Sequence, residues 1–324
     1  MQRTTNPYLP DTRRGALIVF DADQLELVGF PDGAVFRMLH AAARLNGHTL
    51  AVPQAVAIEY LAHHPVDAQP STKRPPEEAA QRRLDALQAY FTVLPTPEGA
   101  VEEALKRVAD RRVPGHAQST AGEDDGEAEA RAVQDTVVWL TLLDAFEAQN
   151  RMLWFLSDNQ NFAQRSAFHP DLRAEAEQRL GTDRSLFLGL MRDGVPALLK
   201  RWGTRMTVST RDLDLLVRSD AVAQQVRNTV TRPARPFATD FSVPSTTLLA
   251  FDGRLGRHHA QQVADRLWLT SRIRWRCYGE ESAPTEPAYI VTRLLLEVGI
   301  EPLLVRSVTV LDAGAVEPPA DGAS

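Results

Sequence analysis

Ala16-Leu-Ile-Val-Phe-Asp21-Ala-Asp23 decides how this chain is read. An apolar run without alternation stops abruptly at two carboxylates. Such a run marks a strand buried on both faces, as in the middle of a parallel sheet. In open α/β sheets, ligands sit just beyond the carboxyl ends of these strands. The chain repeats the device at Met152-Leu-Trp-Phe-Leu156, followed by Ser157-Asp158-Asn159. Two buried strands that each end in acid predict an acidic pocket able to bind a metal ion.

The segments between them read as alternating strands and helices. Spacing predicts helices over 34–45, 54–63, 77–90, 97–112 and 128–148, with short strands at 49–52 and 91–94. Pro65–Pro76 and Pro114–Glu127 read as loops. Strand–helix alternation implies a parallel sheet with helices on both faces. Past Trp202 the texture changes. Arg205–Val208, Phe241–Phe251, Ile273–Tyr278 and Arg306–Leu311 read as strands, with helices expected over Arg257–Leu269 and Ala288–Val298. The expected organisation is an extension over 1–13, an α/β domain over 14–202, a C-terminal α+β domain with an antiparallel sheet over 203–313, and a disordered tail over 314–324.

Composition sets bounds rather than a function. A length of 324 residues with 44% hydrophobic and 24% charged residues is ordinary for a globular protein. A net charge of -6 argues against a strongly basic nucleic-acid coat without excluding a local basic patch. One cysteine, Cys277, excludes internal disulfides and cysteine-rich zinc modules, so a reducing, cytoplasmic setting is expected. Met1–Arg14 lacks a signal-peptide core, and no apolar stretch approaches the roughly 20 residues needed to span a bilayer, so no membrane partner is expected.

Two further acids stand in unusual company. Glu59 is the only charged residue between Gln54 and Ala62, and a carboxylate in an apolar helix is costly unless something pairs with it. Asp135 opens a stripe of Val138, Trp139, Leu142, Leu143 and Phe146 at spacings of three and four, so it points to the core side. Capping and ion pairing with Arg131 explain an acid there, but not an acid on the apolar face. Asp21, Glu59, Asp135 and Asp158 thus form an ordered series of oxygen donors of the kind Mg²⁺ or Mn²⁺ takes. Such ions activate water and stabilise charge on a phosphoryl group.

Four pieces carry a resemblance to a known family: Val19-Phe-Asp21-Ala-Asp23-Gln-Leu25, Val52-Pro-Gln-Ala-Val-Ala-Ile-Glu59, Arg131-Ala-Val-Gln-Asp135-Thr-Val-Val-Trp139 and Phe155-Leu-Ser157-Asp158-Asn159-Gln-Asn-Phe162. Their order resembles the PIN domain, a small α/β nuclease fold, and in particular its long bacterial PIN-like branch. The resemblance covers roughly residues 14–202, and the Arg-Asp-Trp piece is its most specific part. It implies a metal-dependent endonuclease acting on RNA, with Asp21, Glu59 and Asp135 at the family's acidic positions. The fourth position departs: the usual Thr/Ser-x-Asp pattern places its acid at Asn159, one residue after Asp158. Asp23 stands where many relatives carry Asn.

The expected function is therefore hydrolysis of single-stranded RNA through a carboxylate-bound Mg²⁺ or Mn²⁺. The rival is a PIN-like module with a degraded site that binds RNA or protein partners. A phosphatase-like enzyme also begins with an apolar strand and Asp-x-Asp, but it needs a late Lys and an Asp-Asp motif that are not evident. Arg82, Arg107, Arg111, Arg112, Arg131 and Arg165 are candidates for a basic rim, which would offset repulsion between phosphates and the acids. Arg272, Arg274 and Arg276 should share one face of a strand, opposite Ile273, Trp275 and Cys277, as a second platform or a solvated face. Homodimerisation and a protein partner at the C-terminal domain stay open. The pairs His63-His64 and His258-His259 lack a third ligand at useful spacing. No serine has a nucleophile-elbow context, and Asp252-Gly-Arg-Leu-Gly256 lacks the Lys-Ser/Thr ending of a phosphate loop.

Overall fold

The computed structural model describes residues 15–63, 76–115, 125–149, 152–164, 167–181, 186–189, 191–231, 247–278, 288–300 and 303–316. Residues 65–75 of the expected loop at Pro65–Pro76 and most of Pro114–Glu127 lie outside these residues, as do the extension over 1–13 and residues 317–324, while Pro76 opens a helix. The chain divides into two compact units between Gly194 and Val195.

The first unit runs β1 (Leu17–Phe20), α1 (Ala22–Leu27), α2 (Ala34–Leu45), β2 (Thr49–Pro53), α3 (Gln54–His63), α4 (Pro76–Tyr90), β3 (Thr92–Leu94), α5 (Ala100–Ala109), α6 (Asp125–Gln149), β4 (Leu153–Leu156), β5 (Ala163–Gln164), β6 (Ala167–Phe168), α7 (Pro170–Leu180) and β7 (Leu186–Gly189). The helix α8 (Met191–Trp202) spans the division between units. Five strands form one parallel sheet in the order β3-β2-β1-β4-β7. Every residue of β1 and β4 is buried, as their unalternating sequences require. Leu17 pairs with Thr49 on one side and Leu153 on the other, so β1 is central. Gly15 leads into it where a Cβ would lie 1.8 Å from the Gly47 carbonyl oxygen, a gap only glycine fits.

α6 is buried far more completely than one stripe requires: from Asp135 to Leu143 every side chain is buried. A helix apolar nearly all round belongs in a core. Trp139 is fully buried, and its indole Nε1–H donates to Glu175 Oε2 at 2.8 Å. The same carboxylate takes two bonds from Arg107, at 2.6 and 2.9 Å, while Arg107 also bonds Glu103 at 2.8 Å. This network ties α5, α6 and α7 together. Elsewhere in this unit, Phe30 meets Phe36 and Phe91 edge-on, with centroids 4.8 and 5.1 Å apart.

The second unit contains β8 (Thr204–Met206), α9 (Thr210–Val217), α10 (Asp220–Val230), β9 (Leu248–Val263), β10 (Arg266–Tyr278), β11 (Ala288–Gly299) and β12 (Leu304–Val316). Its antiparallel sheet has the order β12-β11-β10-β9-β8. The α+β class holds, but several elements differ from expectation. Arg257–Leu269 and Ala288–Val298 are strands, not helices: the first forms a hairpin, and the second is a central strand buried on both faces. Gly314–Val316 belongs to β12 and pairs with β11 rather than opening a disordered tail. The helices α9 and α10 were not anticipated. They pack Leu213, Leu216, Val222 and Val226 against Ile273, Trp275, Leu294 and Leu296. The Trp275 indole donates to Thr292 Oγ1 at 2.8 Å within that core.

Candidate acidic active site

Asp21 follows β1 directly and caps α1, accepting a hydrogen bond from the Ala22 amide at 3.0 Å. Its other oxygen accepts from the Ser157 hydroxyl beyond β4. Ser157 is fully buried and in turn accepts the Asn159 amide N–H at 3.1 Å. The Asn159 side chain donates to Asp135 Oδ1 at 2.8 Å, and Asn161 donates to Asp135 Oδ2 at 2.7 Å. One residue before Asp135, Gln134 donates to Glu59 Oε2 from α6 to α3. Hydrogen bonds therefore link Asp21 through Ser157 and Asn159 to Asp135, with Glu59 beside it. This cluster lies past the carboxyl ends of β1 and β4, where parallel-sheet chemistry sits.

Asp158 points elsewhere. Gln24 Nε2 donates to Asp158 Oδ2 at 3.0 Å and to Asp23 Oδ2 at 3.2 Å. The two neighbours in the chain thus divide: the amide of Asn159 goes to Asp135, and the acid of Asp158 joins Asp23.

Electrostatics mark the crowding. Burial, then the charge of Asp23 and that of Asp135, push the Asp21 carboxyl up to about 8, against the Ser157 hydrogen bond. Asp23 is raised to about 6 by burial with a contribution from Asp158. Asp135 is raised to about 6 by burial, with Glu59 adding repulsion, while Asn161, Asn159 and Arg131 oppose the rise. A group of repelling carboxylates is chemically suited to a hard divalent cation, and every donor is oxygen. Among the described residues, however, no three acids or histidines already stand together as a metal cage. The donor chemistry fits the ion, while the side chains are held apart by amides and a hydroxyl.

The basic rim is uneven. Arg82, Arg111, Arg112 and Arg131 are exposed. Arg165 lies outside the described residues. Arg107 corrects the expectation: it is 6% exposed and committed to Glu103 and Glu175, so it is a structural ion pair with no face for a phosphate. In the second unit, Arg272, Arg274 and Arg276 do oppose Ile273, Trp275 and Cys277. Arg274 and Arg276 both pair with Asp252, leaving Arg272 as the exposed member. Sequence reasoning gave no role to Gln24, Gln134, Ser157 and Asn161, the groups that hold the acids. Their only signal was position, each lying one to three residues from an acid.

No family model and no curated protein matches the chain. Among solved structures, VapBC2 from Rickettsia felis bound to a DNA fragment from their promoter is similar over 53% of this chain and 98% of that one, at 11% identity and a TM-score of 0.27. A likeness that faint carries no argument for function. Among the described residues, no helix is long and apolar enough to cross a membrane.

Proposed function

We propose that the first unit is a metal-dependent nuclease of the PIN-like kind, and that its substrate is single-stranded RNA. The supporting observation is the hydrogen-bonded chain that joins Asp21 through Ser157 and Asn159 to Asp135 past the ends of two parallel strands, with Glu59 beside it and repulsion raising Asp21 and Asp135. Asp21, Glu59 and Asp135 would hold Mg²⁺ or Mn²⁺, with Asp158 or Asn159 completing the set. When bound, the ion supplies positive charge against the phosphoryl oxygens and favours attack by water. Ser157 orients Asp21, and Asn159 and Asn161 orient Asp135. Burial and the neighbouring acids hold a proton on Asp21 near neutral pH in the cation-free protein. Arg131, exposed and close enough to Asp135 to lower its pKa, meets the phosphate backbone at the rim.

One observation favours the rival, a non-catalytic binding module: both Asp135 oxygens are already engaged by amides. A single comparison separates the two. An active enzyme cuts single-stranded RNA with Mn²⁺, loses cutting in Asp21→Asn and Asp135→Asn, and gains nothing from Asn159→Asp. A degraded site leaves the wild type inert while RNA still binds in a salt-sensitive way, and Asn159→Asp then restores metal binding.

A further inference from the structure

The second unit holds a concave basic site that the acidic pocket does not involve. A cavity of about 460 Å³ opens beside the β8–β9 edge, lined by Arg205, Arg254, Arg257, His258, His259 and Gln261, with Thr207 and Thr210 at its side. No carboxylate is among the lining residues. A surface groove with three arginines and no acid is unusual in a chain of net charge -6, where a solvated face would carry both signs.

The backbone explains how these side chains gather. β9 and β10 pair Thr270 with His259 and Arg272 with Leu255, so Gly256, Arg257 and His258 oppose Ser271 alone. This enlarged bulge expels three residues from the ladder, and bulges re-aim side chains in this way. Gly256 enters it at φ +73°, a conformation that favours glycine. His258 then fixes one wall. With its proton on Nε2 it donates to the Val208 carbonyl at 3.1 Å, and Nδ1 accepts from Arg254 Nη1 at 2.9 Å. Arg254 is thereby oriented by an imidazole rather than neutralised by an acid. Gln261 is 6% exposed, yet its Oε1 has no hydrogen-bond partner.

We propose that this cavity binds a phosphomonoester of nucleotide size, with Arg254 and Arg257 on the phosphate. Guanidinium groups suit phosphate because their forked donors match its oxygens. The His259 imidazole supports a positive cavity: burial first, then the charges of Lys200, His258, Arg205 and Arg257, hold its pKa below the usual value. The phosphate belongs either to a free nucleotide or to the end of an oligonucleotide. This inference does not depend on the acidic site.

Titration calorimetry on the full chain in EDTA tests it, with adenosine monophosphate, adenosine, and a tetranucleotide with and without a 5′-phosphate. The expected result is binding of adenosine monophosphate at least tenfold tighter than adenosine. Arg254→Gln and Arg257→Gln should each weaken it at least tenfold. Arg306→Gln, exposed on β12 at the far edge of the sheet, and Asp21→Asn should leave it unchanged. Preference for the 5′-phosphorylated tetranucleotide over its 5′-hydroxyl form identifies a strand end as the source, and binding of the mononucleotide alone identifies a free nucleotide. The proposal is overturned if adenosine binds as tightly as its monophosphate, if no probe binds at millimolar concentration, or if Arg254→Gln and Arg257→Gln behave as wild type. It is equally overturned if Arg306→Gln weakens binding as much as they do, which would mean general attraction only, or if Asp21→Asn abolishes binding.

Discussion

Neutralising Asp21 should stabilise the cation-free protein, and the gain should grow with pH. Its carboxyl is raised from 3.8 to about 8, so between those values the folded state holds a proton that the unfolded chain has released. Stability then falls as pH rises through that window, because the folded state binds more protons than the unfolded one. At about 1.4 kcal/mol per unit, the full shift sets a ceiling of about 5 kcal/mol at pH 8 and about 2 kcal/mol at pH 5. Asp21 keeps partial contact with solvent and shares its repulsion with Asp23 and Asp135, so roughly 2 kcal/mol at pH 8 and well under 1 kcal/mol at pH 5 are expected. Asn can still cap α1 through its carbonyl oxygen, so the substitution removes charge without removing the cap. Urea unfolding of wild type and Asp21→Asn in EDTA at both pH values measures the difference. A variant no more stable than wild type at pH 8, or stabilised equally at pH 5, would refute the argument that charge crowding strains this pocket.

Millimolar Mn²⁺ should raise the melting temperature of the wild type by several degrees and that of Asp21→Asn far less, read by calorimetry; an equal shift would place the ion elsewhere. Arg107→Ala should cost about 3 kcal/mol in chemical unfolding, because Glu175 and Glu103 lose a buried cation. Thr292→Val should cost about 1 to 3 kcal/mol, since the fully buried Trp275 N–H loses its acceptor without a change in volume. Near-ultraviolet circular dichroism of that variant should show an altered tryptophan signal.

The first unit was legible because its signals are local and strong. A strand buried on both faces must be apolar at consecutive positions, and Leu17–Phe20 and Leu153–Leu156 leave no other reading. The stripe of α6 gave the direction of Asp135, although not the depth of the helix. In the second unit the local signals mislead. Ala288–Gly299 pairs on both edges and is buried on both faces, so its Leu294-Leu-Leu296 run mimics helical spacing while Ile290, Val291 and Thr292 favour a strand. The β9–β10 hairpin turns at Ala264-Asp265 with Ala264 at φ 53°, without the Asn-Gly or Asp-Gly pair that announces such turns. The missed helix α9 did carry a signal: Ser209 accepts the Asp212 amide at 3.1 Å, the Ser-x-x-Asp arrangement of a helix start. The acids themselves could be named from sequence. The amides that separate them could not, because Gln24, Gln134 and Asn161 read as ordinary polar residues until the chain brings them within reach.

The division between Asp158 and Asn159 changes what the fourth position means. An acid displaced by one residue in an extended turn does not slide along the pocket; it faces the other way, and here Gln24 receives it beside Asp23. Asp135 therefore faces an amide, while the second carboxylate pair forms on the Asp21 side, where Asp23 adds repulsion to Asp21. The charge of the pocket is moved rather than lost. If a cation draws on that moved charge, Asp158→Asn should reduce the Mn²⁺-induced melting shift although Asp158 never faces Asp135. Asn159→Asp should instead place a carboxylate against Asp135, removing an amide donor and adding repulsion, so it should destabilise the protein in EDTA by about 1 to 2 kcal/mol and recover that loss when Mn²⁺ is added. Melting curves of both variants with and without Mn²⁺ decide the point: a full Mn²⁺ shift in Asp158→Asn would show that the displaced acid serves only to hold Gln24.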